Sequence, residues 1–162
     1  MGTVLIFRLS DRPCAVATER VLEIVPMASL ARPPGLPALL EGFLNLRGTA
    51  VPVLRLHRLF DLPGAPMALY TPLLIVRDGP RPLGLLVDEV KQVIEVSPDA
   101  LLPIKEGHIF NDCAEAEVVL GDGHPPAHLL SCERLVLEQE RQCIAELQAA
   151  AQRRLEELEG PS

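Results

Sequence analysis

The stretch from residue 42 to residue 56 decides the fold, and it reads Gly-Phe-Leu-Asn-Leu-Arg-Gly-Thr-Ala-Val-Pro-Val-Leu-Arg-Leu. Two apolar runs flank the dipeptide Arg47-Gly48 at its centre. Because glycine readily adopts the positive φ that a two-residue turn requires, this pattern predicts a β-hairpin with Arg47 at its tip. Pro52 has no N–H to donate to a ladder, so we expect the second strand to be an edge or to be irregular there.

The predicted hairpin tip leaves three roles open for Arg47. A rigid hairpin can present its guanidinium to a partner protein. The same side chain can be an ordinary solvated turn residue, or it can pair with a carboxylate of its own domain and fix the hairpin. The spacing of the residues does not separate these interpretations.

Composition restricts the class of protein. The chain has 162 residues, of which 48% are hydrophobic, so it can bury a core as one domain or as two small, closely packed units. Aromatic residues make up only 3%, so Leu, Val and Ile must build that core. The net charge of −7 argues against nucleic acid or an anionic membrane as the main partner. No apolar run approaches the roughly 20 residues that span a bilayer.

Targeting and metal signals are weak. No basic segment precedes the first apolar run, and Arg8 interrupts that run, so a signal peptide is not expected. We therefore expect a cytoplasmic protein whose cysteines are reduced thiols. The spacing of His124, His128 and Cys132 would align three ligands on a helix, but two prolines between the histidines oppose a helix. No metal site is predicted.

The chain contains an internal repeat. A shift of 69 positions aligns residues 4–25 with residues 73–94 without a gap. Identical dipeptides recur at this spacing, namely Leu5-Ile6 with Leu74-Ile75 and Arg12-Pro13 with Arg81-Pro82. Ordered self-similarity of this kind indicates a duplicated supersecondary unit, here three strands with turns between them.

A hairpin follows each copy of the repeat. The first is the 42–56 hairpin, and the second is predicted over 117–130 around the turn Gly121-Asp122-Gly123. Two copies of about five strands each predict two small β-barrels. Because a five-stranded unit has little core of its own, the two barrels are expected to share one hydrophobic core.

The end of the chain has a helical period. The pattern predicts a helix over 132–159, about 40 Å long at 1.5 Å per residue. Its apolar stripe comprises Ile144, Leu147, Ala151, Leu155 and Leu158. Either the helix docks only its first turns on a barrel and the rest is solvated, or its later half, from about Ile144, meets another chain. The dense charge near the far end favours the second interpretation.

No catalytic motif is evident. The sequence has no Gly-rich phosphate loop, no nucleophile elbow and no paired metal-ligand motif. Asp88 and Glu89 are the most suggestive carboxylates, but neighbours on a strand point to opposite faces and are poorly placed for joint acid–base chemistry. Neither an enzyme nor a cofactor is predicted.

Two motifs resemble those of a known family. The Asn-Leu-Arg-Gly of residues 45–48, followed by the Val-Pro-Val of 51–53, resembles the signature hairpin of CheW-type domains. These domains are adaptors that couple chemoreceptors to the histidine kinase CheA. The Gly-Leu-Leu-Val-Asp-Glu-Val of residues 84–90 resembles the second characteristic stretch of that family. The resemblance covers most of the chain and implies a CheW-like domain over 1–137.

The resemblance carries expectations about fold and partners. It implies a mainly β fold with two five-stranded SH3-like barrels around a common core, followed by the C-terminal helix. It implies an apolar groove between the barrels for the cytoplasmic tip of a chemoreceptor. It further implies faces that pair with the regulatory domain of a CheA-type kinase or with other CheW-like domains. The partner-binding residues that it implies are Asn45, Leu46, Arg47, Gly48, Val87 and Asp88.

One position departs from the family pattern. The family usually carries an acidic residue after the Val-Pro-Val strand, where this chain has Arg55. A partner contact or internal ion pair that depends on that carboxylate does not carry over. Two other functions stay open, a small-ligand-binding or regulatory β-barrel that kept the fold without the signalling role, and a divergent enzyme.

Overall fold

The computed structural model describes residues 2–26, 28–62, 71–104, 113–121, 123–136 and 138–159. These residues form two β-sheets and one long helix at the C-terminal end. The predicted fold class, mainly β with a C-terminal helix, is confirmed. The predicted turn residue Asp122 and the predicted domain end at Leu137 lie outside the described residues.

The duplicated unit is present as three strands in each copy. The first copy supplies β1 (Gly2–Leu9), β2 (Arg12–Ala17) and β3 (Val21–Pro26). The second copy supplies β6 (Pro72–Asp78), β7 (Arg81–Leu86) and β8 (Glu89–Val96). The shift of 69 residues places β2 on β7 residue for residue, so the repeat seen in the sequence is a repeat of structure.

Both predicted hairpins form. The first consists of β4 (Leu40–Leu46) and β5 (Thr49–Arg55), and the short helix α1 (Leu56–Leu59) follows it. The second consists of β10 (Ala114–Val118) and β11 (Ala127–Leu130), with the two-residue strand β9 (Leu101–Leu102) beside it. A 3-10 turn at Cys132–Arg134 follows β11, in the position that α1 has after β5.

The two copies exchange strands, because the first two strands of each copy pair with the third strand of the other copy and with the hairpin that follows it. The first sheet has the order β8-β1-β2-β11-β10-β9, and the second has the order β3-β6-β7-β5-β4. Thus β3 pairs with β6 of the other copy, and β8 pairs with β1. The expectation of one barrel per copy is wrong in this respect. The 3-10 turn at Thr18–Arg20 leads the chain out of the first sheet and into the second.

Each sheet encloses an apolar interior, and a central core lies between the sheets. In β1, Val4 and Ile6 pack in the interior of the first sheet, while Leu5 and Phe7 pack in the central core. The equivalent residues of β6 alternate in the same way between the second interior and the central core. We call the sheets the first and second barrel. Because both faces of these strands are buried, each strand is apolar almost throughout.

The C-terminal helix, α2 (Glu138–Glu159), begins later than predicted. The predicted start at Cys132 is wrong, because that residue begins a 3-10 turn. Leu135 and Val136, which follow that turn, are buried in the central core. The 22 residues of α2 make a helix about 33 Å long rather than 40 Å.

The first half of the apolar stripe packs on this domain. Ile144 is only 7% exposed and belongs to the central core, and Leu147 and Ala151 pack against it. Leu155 is partly buried, whereas Leu158 is 86% exposed. The expectation that the helix from Ile144 onward serves another chain is therefore wrong for Ile144, because the central core already covers it, whereas Leu147 and Ala151 are only partly buried.

Polar residues of α2 cover an open strand edge. β7 pairs with β5 only from Val53 onward, so the first half of β5 has β4 as its sole neighbouring strand, as expected around Pro52. Gln152 accepts a hydrogen bond from the Ala50 N–H at 2.8 Å, and Gln148 donates to the Ala50 carbonyl at 3.1 Å. The helix thereby satisfies backbone groups that would otherwise form an exposed edge.

The burial of Ile144 generates a stability prediction. Replacing Ile144 by Ala should lower the free energy of unfolding by about 2–4 kcal/mol, because it removes buried carbons and leaves a cavity under the helix. The matched control is Leu158→Ala on the same stripe, which should change the free energy by less than about 0.5 kcal/mol because the side chain is exposed. Chemical denaturation of both variants measures this. Similar losses for the two variants would contradict the burial of Ile144 under the helix.

Candidate partner-binding surface

The tip of the β4–β5 hairpin is a tight two-residue turn. Leu46 pairs with Thr49, and the two residues between them have positive φ, 50° at Arg47 and 89° at Gly48. A turn with positive φ at both central residues matches the twist of the strands that it joins. The Asn45 side-chain oxygen accepts a hydrogen bond from the Gly48 N–H at 2.9 Å. The Asn-Leu-Arg-Gly motif therefore has a structural role, which is to hold Arg47 in one place.

Arg47 joins the two outermost strands of the second barrel. Its guanidinium donates to Glu23 on β3 through both terminal nitrogens, with Nη1 3.2 Å from Oε1. The hydrogen bond from Arg47 lowers the pKa of the Glu23 carboxyl, and Glu23 in turn raises the pKa of Arg47. A lowered carboxyl pKa means that the pair stabilises the fold above the ordinary pKa of Glu, and that this contribution is lost as the pH falls through the folded value. The Arg47 side chain remains 71% exposed.

An exposed apolar pair shares β3 with that ion pair. Leu22 and Ile24 are 46% and 47% exposed and alternate with Glu23 along the strand. β3 is the last strand of its sheet, so it has β6 on one side only. The sequence does not single out these two residues, because an alternating strand does not reveal which of its faces is left open. The open face of β3 becomes evident only when the strand exchange between the two copies is known.

The second motif, over residues 84–90, places its candidate partner-binding residues Val87 and Asp88 toward the interior of the domain. Val87 is fully buried in the central core. Asp88 accepts a hydrogen bond from the Ser10 N–H at 2.5 Å and contacts Nε2 of His57 at 2.9 Å, and its side chain is only 14% exposed. The expected partner-binding role of Val87 is therefore wrong, because burial removes it from any partner. Asp88 instead ties the β1–β2 turn to α1.

The unusual Arg55 has an internal partner. Its Nε lies 2.8 Å from the carboxylate of Glu41, which is 9% exposed. The other carboxylate oxygen of Glu41 lies 2.6 Å from Nη2 of Arg32. Arg32 belongs to the loop that pairs with β4 through Ala31 and Phe43. A nearly buried carboxylate is thus held by two guanidiniums, and together they fix the loop to the barrel.

Two groups of candidate residues meet at one groove. The groove holds about 520 Å³ between the loop at Ala31–Pro34, strand β4 and the distal half of α2. Asn45 of the hairpin motif lines it, and so do four residues of the helix stripe: Leu147, Ala151, Leu155 and Leu158. The groove lies against the second barrel and not between the two barrels. We call it the helix groove.

Cys14 and Cys132 are both buried in the described structure. Burial raises the pKa of Cys14 to about 12 and that of Cys132 to about 11, so both thiols stay protonated and poorly nucleophilic at neutral pH. Among the described residues, no group of three or more His, Cys, Asp or Glu is arranged to hold a metal ion. His128 lies in a strand, so the spacing of His124, His128 and Cys132 is not helical. No described helix has the length and apolar character needed to cross a membrane.

Comparison with known proteins gives consistent matches. The model of the CheW-like domain family matches residues 3–140. The chain is 28% identical over 102 residues to the chemotaxis protein CheW of Klebsiella aerogenes, a match that covers 63% of this chain and 61% of that protein. It is 27% identical over 104 residues to the chemotaxis protein CheW of Bacillus subtilis, covering 64% of this chain and 67% of that protein. The aligned part therefore spans about three fifths to two thirds of these relatives.

A solved structure shares the fold. The scaffolding protein TtCheW of Thermoanaerobacter tengcongensis superposes with a TM-score of 0.76 at 23% identity, covering 84% of this chain and 88% of that one. At this identity the likeness concerns the fold. The two-barrel arrangement is thus one that a solved protein also adopts.

The contacts of Asp88 predict a structural role that can be measured. Replacing Asp88 by Ala should lower the free energy of unfolding by about 1–3 kcal/mol, because it leaves the Ser10 N–H without its acceptor. Glu89→Ala is the matched control, since its more exposed carboxylate pairs with Arg8 and Lys91 at the surface. The melting temperature of Glu89→Ala should be close to that of the unchanged protein in a thermal scan. If Asp88→Ala left stability intact but abolished partner binding, Asp88 would be a partner contact after all.

Proposed function

The chain belongs to the CheW-like domain family, and from this membership we propose that it is a non-catalytic adaptor that couples chemoreceptors to a CheA-type histidine kinase. The setting would be chemotaxis or a related chemosensory pathway. The relatives named above are chemotaxis proteins and the structural neighbour is a scaffolding protein, which supports the proposal. Such an adaptor works by holding partners together, so the surface matters more than any reactive group.

The observation that carries the proposal is the terminal strand β3 beside the hairpin tip, where Leu22 and Ile24 alternate with Glu23 between the two faces of the strand. Leu22 and Ile24 expose apolar surface, and the Glu23–Arg47 ion pair supplies charge on the same strand. Interfaces commonly combine apolar anchors with a charged rim that fixes orientation. We call Leu22, Ile24, Glu23 and Arg47 the β3 surface. We propose that it receives the regulatory domain of the kinase.

Further partners follow from the same role. The proposal places the cytoplasmic tip of a chemoreceptor in an apolar groove between the barrels, and it allows other CheW-like domains as additional partners. Because both signalling partners present these parts in the cytoplasm, the adaptor would work there. With a net charge of −7, nucleic acid and direct membrane insertion are not part of the proposal.

The non-catalytic part of the proposal has its own support. The titratable residues that stand out are engaged in internal contacts, as Asp88 is with His57 and Glu41 is with Arg55. Groups committed in this way hold the fold and are not poised at a substrate.

Direct binding tests the function. The full chain should bind the isolated regulatory domain of a CheA-type kinase in calorimetry, and Ile24→Glu should weaken binding at least about tenfold by placing a charge in an apolar contact. The matched control is Val119→Glu, whose side chain is 45% exposed on the first barrel against 47% for Ile24. Both variants should keep the unchanged melting temperature. Equal losses for the two variants would reject the β3 surface.

Other outcomes would replace the function itself. If the chain bound neither the kinase domain nor a receptor tip but was stabilised by a small ligand in a thermal-shift screen, a ligand-binding barrel would be the better account. Turnover in a substrate screen would favour an enzyme.

Arg47 gives a second, independent test of the β3 surface. Arg47→Ala should weaken kinase-domain binding at least about tenfold, because charge-assisted hydrogen bonds across an interface are strong and directional. The melting temperature should hardly change, because exposed ion pairs contribute little to folding. Arg12→Ala, at the start of β2 beside the turn of another hairpin, serves as the control and should leave binding intact. A fall in melting temperature without specific loss of binding would make Arg47 an internal structural cation.

A further inference from the structure

A short piece of the loop before β4 covers the outer edge of that strand. β4 is a terminal strand of the second sheet, so it has β5 on one side only. On the other side Ala31 pairs with Phe43, donating to the Phe43 carbonyl at 2.9 Å and accepting from the Phe43 N–H at 2.9 Å. We call residues 30–32 the strap.

The strap satisfies backbone groups at two outward positions of β4. Nε of Arg32 donates to the Glu41 carbonyl at 3.0 Å, and Phe43, two residues further on, engages both its N–H and its C=O. Pro52, which lies opposite Phe43 on β5, has no N–H to offer it. Without the strap, these backbone groups would form an open edge to which another strand can add.

The close approach of the strap depends on Gly42. A Cβ atom at this position would lie 2.7 Å from the Ala31 carbonyl oxygen and 2.9 Å from the Leu30 Cβ, both shorter than van der Waals contact. Leu30 in turn packs against the apolar interior of the second barrel. A side chain at position 42 would therefore push the strap off the edge of β4.

One ion cluster fastens the strap. Nη2 of Arg32 lies 2.6 Å from one carboxylate oxygen of Glu41, and Nε of Arg55 lies 2.8 Å from the other. Glu41 is only 9% exposed, whereas the side chains of Arg32 and Arg55 are 54% and 42% exposed. Water can therefore hydrate Arg32 when it leaves, and Arg55 keeps the nearly buried carboxylate paired. The contact between Arg32 and Glu41 can thus open without leaving an unpaired buried charge.

We propose that the strap is a removable cover of the β4 edge, closed by the contact between Arg32 and Glu41, and that its release lets β4 pair with β4 of a second copy of this chain. The geometry of the edge selects this occupant. Phe43 and Ala31 exchange both of their N–H···O bonds, as opposite residues of an antiparallel pair do. A second Phe43, related by a twofold axis, offers the same donor and acceptor in the same arrangement.

Amide hydrogen exchange and sedimentation of the full chain test the proposal. In Arg32→Gln the amides of Ala31 and Phe43 should exchange at least about tenfold faster at low concentration, while those of the interior strand β6 keep their rates. The variant should dimerise at a concentration at least about tenfold lower than the unchanged protein requires. The control is Arg20→Gln, which removes another partly exposed arginine from an ion pair, that with Glu133, away from β4. The control should change neither quantity.

A second variant releases the strap by another route. Gly42→Ala leaves the ion cluster in place and displaces the strap by contact, so it should reproduce both effects of Arg32→Gln. In the dimer of either variant, the Phe43 amide should become protected again, because it bonds to the second copy, while the Ala31 amide stays fast.

Four results would overturn the proposal. Unchanged exchange in both variants would mean that the strap is not a removable cover. Faster exchange in all strands would mean that the cluster supports the whole fold. Faster exchange at Ala31 and Phe43 in variants that stay monomeric would show that the strap does not restrain association. A dimer in which the Phe43 amide stays fast would place the second copy elsewhere.

Discussion

The exchange of strands between the two repeat copies, in which each third strand and its following hairpin join the other copy, is the constraint on which the rest of the structure depends. β3 completes the second barrel by pairing with β6, and β8 completes the first by pairing with β1. Neither copy can therefore satisfy its own backbone hydrogen bonds, and the barrels must form together. The central core follows, since the strands β1 and β6 carry apolar side chains on both faces. The exchange also leaves β3 as a terminal strand beside the hairpin tip, which is where the proposed partner surface lies.

The sequence predicts elements well and pairings poorly, and the reason is physical. The 69-residue repeat and the Arg47-Gly48 turn are local signals, because a turn type and a strand depend on neighbouring residues. Strand exchange depends on distant residues, about 50 positions apart where β3 pairs with β6 and about 90 where β1 pairs with β8. A strand such as β1 that is apolar on both faces gives no period from which to infer its partners. Leu22 and Ile24 were missed for this reason. The motif predicts a surface role for Val87 because a motif marks a residue without showing which way its side chain points.

The C-terminal helix illustrates a different limit. The stripe from Ile144 to Leu158 was recognised from its spacing, but spacing cannot tell how far along a stripe the core extends. In the structure the stripe is buried at its start, at Ile144, and exposed at its end, at Leu158. Gln148 and Gln152 would count as part of a solvated face in any hydrophobic pattern. They instead complete the backbone hydrogen bonds of β5, a role that appears only when a strand edge and a helix are seen together.

The hairpin tip shows why stability and recognition can be separated in this fold. The position of Arg47 is fixed by its backbone, through a two-residue turn and the Asn45 hydrogen bond, and its side chain is held by Glu23. Binding of a partner to this guanidinium costs less conformational entropy than binding to an arginine on a mobile loop would, because the Arg47 side chain is already ordered. The core does not depend on this ion pair, since the pair is exposed and the barrel interior is apolar. The buried Glu41 pairs with Arg32 and Arg55, and this cluster serves the fold by fixing the loop to the barrel. Two clusters of similar chemistry thus differ in role because one is buried and the other is open to a partner.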